Sequence, residues 1–287
     1  MTSERRLAIN ADDLGLSDGV NRGIMACAQA GVVTSASLLV NTPAFAAAVA
    51  AARDVPRLSV GLHLNLTTGA PVCPPEAVPT LCDARTARFH PLGQLVARAL
   101  LGRVNARDVA LECAAQIERA RTAGVRLTHL DGHQHTHVLP GIWQPAVETA
   151  RHAGIELVRL PLEPASDMTW RPAAAVGQVL LAASYRLAAR GTPAVRHAEH
   201  FRGFALTGRR DFTARLLALL ERLEPGLTEL MVHPGYPDAA LRGWVGYTAG
   251  RERELEGLLS PAVTARLARG DIVLMPLDAP GVPRQPR

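Results

Sequence analysis

The 287-residue chain contains no lysine: all 31 basic side chains are arginine. Without an ε-amine, Schiff-base chemistry and P-loop phosphate binding are both excluded. Aromatic residues make up only 4% of the chain, and the arginines are scattered along helical stretches. A stacking platform for nucleic acid is therefore not expected. No apolar run is long enough to span a bilayer, and Met1-Thr2-Ser3-Glu4-Arg5-Arg6 leads straight into a short strand without a signal peptide. The four cysteines, Cys27, Cys73, Cys82 and Cys113, show no C-x-x-C spacing. They read as free thiols of a reducing, cytoplasmic compartment, although Cys73 and Cys82 share one loop and could meet. There is no G-x-S-x-G, and Gly15, Gly19 and Gly23 do not form a dinucleotide fingerprint.

What is present is enough apolar material, 48% of residues, for one large core. No repeat or domain boundary is visible, so residues 1–287 read as a single domain with a helical and loop insertion around 163–208. The formal charge of +5 is modest. It leaves open a weak attraction to an anionic surface, such as the inner face of the membrane. A homodimer is compatible with the sequence.

Seven short apolar strands are expected: Leu7–Asn10, Val32–Val40, Leu58–Leu64, Val125–Leu130, Ile155–Leu160, Thr228–His233 and Ile272–Met275. Helical patterns with capping signals separate most of them, such as Ser17 before a helix ended by Gly31. This alternation predicts an α/β fold, a seven-stranded parallel β/α barrel, with a doubly wound open sheet as the alternative. Residues 65–91 form a loop too long for a plain connector. Pro172–Arg190 has helical periodicity, and His197–Gly208 reads as irregular chain.

The strand ends carry the chemistry. Asp12 and Asp13 end the first strand, His63 the third, Asp131 and His133 the fourth, Arg159 the fifth and His233 the sixth. In a parallel barrel all these ends share one face, where active sites of such folds lie. His133, His135 and His137 alternate, so in an extended chain their imidazoles would project to one side, toward a metal or toward solvent. Asp with two His suits a catalytic divalent metal with open positions. In an extended chain Asp12 and Asp13 point apart, which would let one ligate while the other acts as a base.

Five stretches, in this order, resemble the YdjC-like carbohydrate deacetylases, a family that includes chitooligosaccharide and hopanoid-associated members. They are Ile9-Asn-Ala-Asp-Asp-Leu-Gly-Leu-Ser17, Gly31-Val-Val-Thr-Ser35, Gly61-Leu-His-Leu64, Thr128-His-Leu-Asp-Gly-His-Gln-His-Thr-His137 and Glu229-Leu-Met-Val-His-Pro-Gly235. Leu14 stands where phenylalanine is commoner. The resemblance implies a Mg²⁺-dependent enzyme, with Zn²⁺ or another divalent ion as alternatives, that removes acetyl groups from N-acetylated amino sugars. Its ligands would be Asp13, His63 and His133, and Asp12 would be the base. Arg159 would orient that base, and His233 would protonate the leaving amine. Asp131, His135 and His137 would support the ligands or touch substrate.

Two other classes fit the strand-end residues: a metal-dependent phosphoesterase, for which more carboxylates would be expected, and a catalytically silent sugar-binding protein. The Pro172–Arg190 segment, with Arg171, Arg186 and Arg190, reads either as an ordinary barrel helix or as a protruding helix that holds a lipid-linked substrate.

Overall fold

The structure is a computed structural model and describes residues 4–164, 167, 172–190, 195–244 and 247–280; Arg171 lies outside them. In chain order the elements are β1 (Arg5–Leu14), α1 (Asp18–Gln29), β2 (Ser35–Leu38), α2 (Phe45–Arg53), β3 (Ser59–Leu64), β4 (Cys82–Asp83), β5 (Arg88–Phe89), α3 (Leu92–Leu100) and α4 (Ala106–Thr122). They continue as β6 (His129–Gly132), α5 (Trp143–His152), β7 (Leu157–Val158), α6 (Pro172–Ala188), β8 (His200–Arg202), α7 (Phe212–Glu221), β9 (Gly226–Val232), α8 (Ala249–Leu258), α9 (Pro261–Leu267) and β10 (Ile272–Leu274). The antiparallel pair β4–β5 lies within the long loop.

The main sheet is parallel, in the order β7-β6-β3-β2-β1-β9-β8. It curls through 239° and leaves its edges 12 Å apart. The closed barrel expected from the sequence is thus corrected to a half-barrel. The cause lies in the edge strands, two and three residues long. One bridge reaches toward the gap, where Val158 N–H donates to Arg196 O at 2.9 Å and Arg196 N–H to Glu156 O at 3.1 Å. No ladder follows from it.

Two strands differ from expectation. His200–Arg202, inside the stretch read as irregular, is β8 and pairs with β9. A three-residue strand gives too short a pattern to register as one. The seventh expected strand, β10, pairs only with Arg5–Leu7 at the start of β1. β2 joins β1 only from Asn10 onward and leaves that length of edge free.

Strand alternation positions the site. On β1, Leu7, Ile9 and Ala11 join the core under the helices, whereas Ala8, Asn10 and Asp12 face inward. The same inward series gives Ser35 and Ser37 on β2, His63 on β3, His129 and Asp131 on β6, and Glu229 on β9, all buried. Ala8, Leu157, Ala198, Leu227 and Leu277 plug the lower end as a small apolar cluster. Polar groups fill the cup above that plug.

Candidate active site

Asp13 sits at a break in β1. Its φ of 71° is left-handed, a conformation that Asp tolerates better than most residues, and the pairing with β2 shifts register between Ala11 and Leu14. The extended-chain separation of Asp12 and Asp13 therefore does not apply. Both carboxylates reach the mouth of the cup.

Asp13 Oδ1 lies 2.9 Å from His133 Nδ1 and 3.4 Å from His63 Nε2, and it is buried without a hydrogen bond. Donor atoms about 2.1 Å from one shared cation are separated by roughly 3 Å, so these spacings fit a metal site. The second ring nitrogen of His63, Nδ1, is 2.7 Å from Asp131 Oδ1. An ionised carboxylate can only accept, so Nδ1 carries a proton and Nε2 is the nitrogen left to face an ion at the site. Asp131 is itself fixed by Ser37 Oγ–H at 2.6 Å and by Arg159 Nη2 at 2.8 Å.

Arg159, 1% exposed, follows β7 and meets three carboxylates. It binds Asp12 at 2.7 Å through each terminal nitrogen, Asp131, and Glu229 Oε1 at 2.7 Å through Nε. Asn10 Nδ2 donates to both Asp12 Oδ1 and Ser37 Oγ. Across the mouth, Arg251 of α8 donates to Asp13 Oδ2. The four carboxylates touching these two guanidiniums (Asp12, Asp13, Asp131 and Glu229) leave an excess of two negative charges, which a divalent cation would balance.

Without an ion, protons take up part of that excess. Burial alone would lower the pKa of His63, but the charges of Asp131 and Asp12 overcome it and raise it to about 10. Burial, with Asp131 and Asp12 adding to it, lifts Glu229 to about 7 against the pull of Arg159. Asp13 goes the other way: burial pushes its pKa up, yet Arg251 and His133 hold it well below the carboxylate range. A second triad, Asp12, His63 and Asp131, also has donor atoms close together. The Arg159 guanidinium already binds both of its carboxylates.

The three alternate histidines do not project to one side. After β6 the chain enters a tight 3-10 stretch, His133–Val138, with Gln134 and His135 left-handed at φ 55° and 56°. Only His133 meets Asp13. His135 packs edge-on against Phe204, ring centroids 4.7 Å apart. His137 is fully buried, with Nε2 3.1 Å from the Arg159 carbonyl oxygen, and burial lowers its pKa to about 4. It is thus neutral and braces the backbone that carries Arg159.

His233 follows β9 at the rim. Its backbone N–H donates to Glu254 Oε2 at 2.6 Å, and its ring lies edge-on to Tyr247 at 5.8 Å. Glu254 Oε1 accepts from the Tyr247 hydroxyl at 2.6 Å. The loop behind His233 lies against α1, where a Cβ on Gly23 would be 2.5 Å from Gly235 Cα. Every strand-end residue expected from the sequence except Asp131 lines one cleft of about 260 Å³ or, in the case of Arg159, binds a residue that does. Asp131 sits just beneath, against His63.

Sequence reasoning missed Arg251, Tyr247, Ser37 and the role of Glu229. Ser37 and Glu229 belong to the inward series and were findable by strand alternation. Arg251 stands in Gly-Arg-Glu-Arg-Glu-Leu-Glu, which reads as a solvated helix face and gives no such signal.

A parallel half-barrel with a buried Asp-His-His cluster at its strand ends is the architecture of a metal-dependent hydrolase. The chain belongs to the YdjC-like protein family, whose pattern it matches over residues 6–269. It is 36% identical to a carbohydrate deacetylase of Geobacillus stearothermophilus, covering 94% of this chain and 96% of that one. It is 35% identical to a human carbohydrate deacetylase, with 95% and 90% covered. A crystal structure from Enterococcus faecalis V583, described as a cellobiose-phosphate cleavage protein, superposes with a TM-score of 0.75 at 28% identity, over 96% of this chain and 98% of that one.

Proposed function

We propose that the chain is a divalent-metal-dependent deacetylase that hydrolyses the acetamide of an N-acetylated amino sugar, releasing acetate and the free amine. The convergence of Asp13 Oδ1, His63 Nε2 and His133 Nδ1 carries this reading. These three residues would hold the ion, which when bound would supply a Lewis acid for the acetyl carbonyl and lower the pKa of water. Asp12, held by the fork of Arg159, accepts the proton of the attacking water. His233, at the opposite rim, gives a proton to the sugar nitrogen as the C–N bond breaks. Asp131 fixes the tautomer of His63, and His137 braces Arg159 through its carbonyl.

The ion assigned is Mg²⁺; two imidazole donors also suit Zn²⁺, and reconstitution of the chelated protein with each ion decides between them. The sugar assigned is lipid-linked, because an apolar groove of about 710 Å³ shares Gln134, His135, Phe204 and Thr207 with the catalytic cleft. We place the enzyme in the cytoplasm, at the inner face of the membrane. No helix among the described residues is long and apolar enough to cross it.

Acetate release from N-acetylglucosaminides, run beside a generic phosphate ester and with a chelator, tests the reaction. Metal-dependent acetate release with the ester untouched is expected. Ester cleavage alone would make the chain a phosphoesterase, and no turnover of either a sugar-binding protein.

A further inference from the structure

The five most exposed large hydrophobic side chains among the described residues are Leu100, Leu101, Val179, Leu180 and Leu187, each 53–66% exposed. They are 78 or more residues apart in sequence between the two groups, yet all lie on α3, its C-terminal turn and α6. These helices form the two walls of the apolar groove. A stable soluble surface does not gather its apolar residues this way without a partner.

The charge around the groove points to the partner. Leu92–Arg103 and Pro172–Arg190 contain no Asp or Glu at all, although the chain carries 26. They do carry Arg98, Arg103, Arg186 and Arg190, of which the last three are exposed. An apolar ridge whose two helices carry arginines and no acids matches an anionic bilayer: aliphatic side chains enter the acyl boundary while guanidiniums meet the headgroups. The groove between the ridges runs into the catalytic cleft at His135 and Phe204, so a lipid lifted from such a bilayer would arrive head first at the metal cluster.

We propose that α3 and α6 are the membrane-docking face of this enzyme, seating it on an anionic bilayer with the groove open to a lipid in the leaflet. The proposal rests on the lipid-linked reading of the substrate, and its test reads binding rather than catalysis. The full chain is floated with vesicles of equal parts phosphatidylcholine and phosphatidylglycerol, and with phosphatidylcholine alone. Leu101 and Val179 stand on the rim outside the groove lining, so Leu101→Glu with Val179→Glu leaves the cleft intact.

The wild type is expected to float with the anionic vesicles, less so as salt is raised. The double variant should bind at least about tenfold more weakly while releasing acetate from a short soluble N-acetylglucosaminide at the wild-type rate. Arg186→Glu with Arg190→Glu should abolish the preference for phosphatidylglycerol. A wild type that stays with the soluble fraction, or variants that float equally well, would overturn the proposal. So would a concentration-dependent dimer that the Leu101 and Val179 changes dissolve in the absence of vesicle binding, because the face would then cover a second copy of this chain. Vesicle binding without acetate release from any sugar would leave docking standing and remove the reaction instead.

Discussion

Arg159 grips Asp12 through both terminal nitrogens, Nη1 to Oδ2 and Nη2 to Oδ1, each at 2.7 Å. A planar fork on a planar carboxylate fixes the plane of the carboxylate as well as its charge. The grip forms across the sheet, between the end of β7 and the end of β1, and is buried on all sides. The orientation of Asp12 is therefore set by the fold rather than by substrate.

Replacing Asp12 by Asn keeps the shape and removes the proposed base. Turnover is expected to fall on the order of 10²–10⁴-fold with bound metal unchanged, as measured by acetate release and elemental analysis on the same preparation. Near wild-type turnover would move the base elsewhere. Arg159→Lys cannot reproduce the fork and leaves three carboxylates poorly paired, so both turnover and thermal stability should drop.

His133→Ala deletes a donor atom 2.9 Å from Asp13 Oδ1 and should leave the protein folded but without tightly bound metal. Asp131→Asn keeps the proposed ligands but weakens the carboxylate's bonds to His63 Nδ1 and to Arg159. Its metal affinity should fall about 10–100-fold, the usual effect of losing a ligand's supporting partner. Full metal retention by His133→Ala would remove that residue from the ligand set.

Much of this site is legible in the chain because strand ends are punctuated by polar residues: Asp12-Asp13, His63, His133, Arg159 and His233 each close an apolar run. Parallel pairing then does the convergence. Three things are not legible. Closure depends on edge-strand length, and β7 and β8 are too short for their pattern to say where pairing stops. The direction of the three histidines depends on two left-handed residues, Gln134 and His135, and neither is a glycine that would flag the turn. Arg251 reaches Asp13 from α8, 238 residues along the chain, and local sequence carries no trace of that contact.

Glu163 offers a pH test away from the metal cluster. Its carboxylate accepts backbone N–H bonds from Gly203, Phe204 and Ala205, yet burial raises its pKa to about 7. Because the folded pKa exceeds the unfolded value, folding takes up a proton between roughly pH 4.5 and 7. The stability contributed by that proton is complete below the unfolded pKa and is lost as pH rises through 7. Glu163→Gln should abolish this slope, a difference on the order of 2–3 kcal/mol across the window. Urea midpoints of both proteins from pH 4.5 to 8 measure it; parallel curves would show that Glu163 is not raised.

The apolar groove makes the last prediction, about substrate choice. Leu180, Leu181 and Leu187 face Leu92, Val96 and Leu100 across it, and Phe204 and His135 stand where it meets the cleft. A sugar alone can fill the polar cleft but leaves the groove wet. An aliphatic aglycone would dry it, at about 0.8 kcal/mol per buried methylene. Ordering the chain offsets much of that gain, so kcat/KM for a lipid-linked N-acetylglucosamine should exceed that for free diacetylchitobiose by about ten- to a hundredfold. Leu180→Gln places an amide in the groove wall without touching the metal cluster. It should erase most of that advantage while leaving turnover of the disaccharide unchanged. Equal or better efficiency of the wild type on the free disaccharide would assign the enzyme to soluble oligosaccharides, because binding energy available only to an aglycone would then contribute nothing to its transition state.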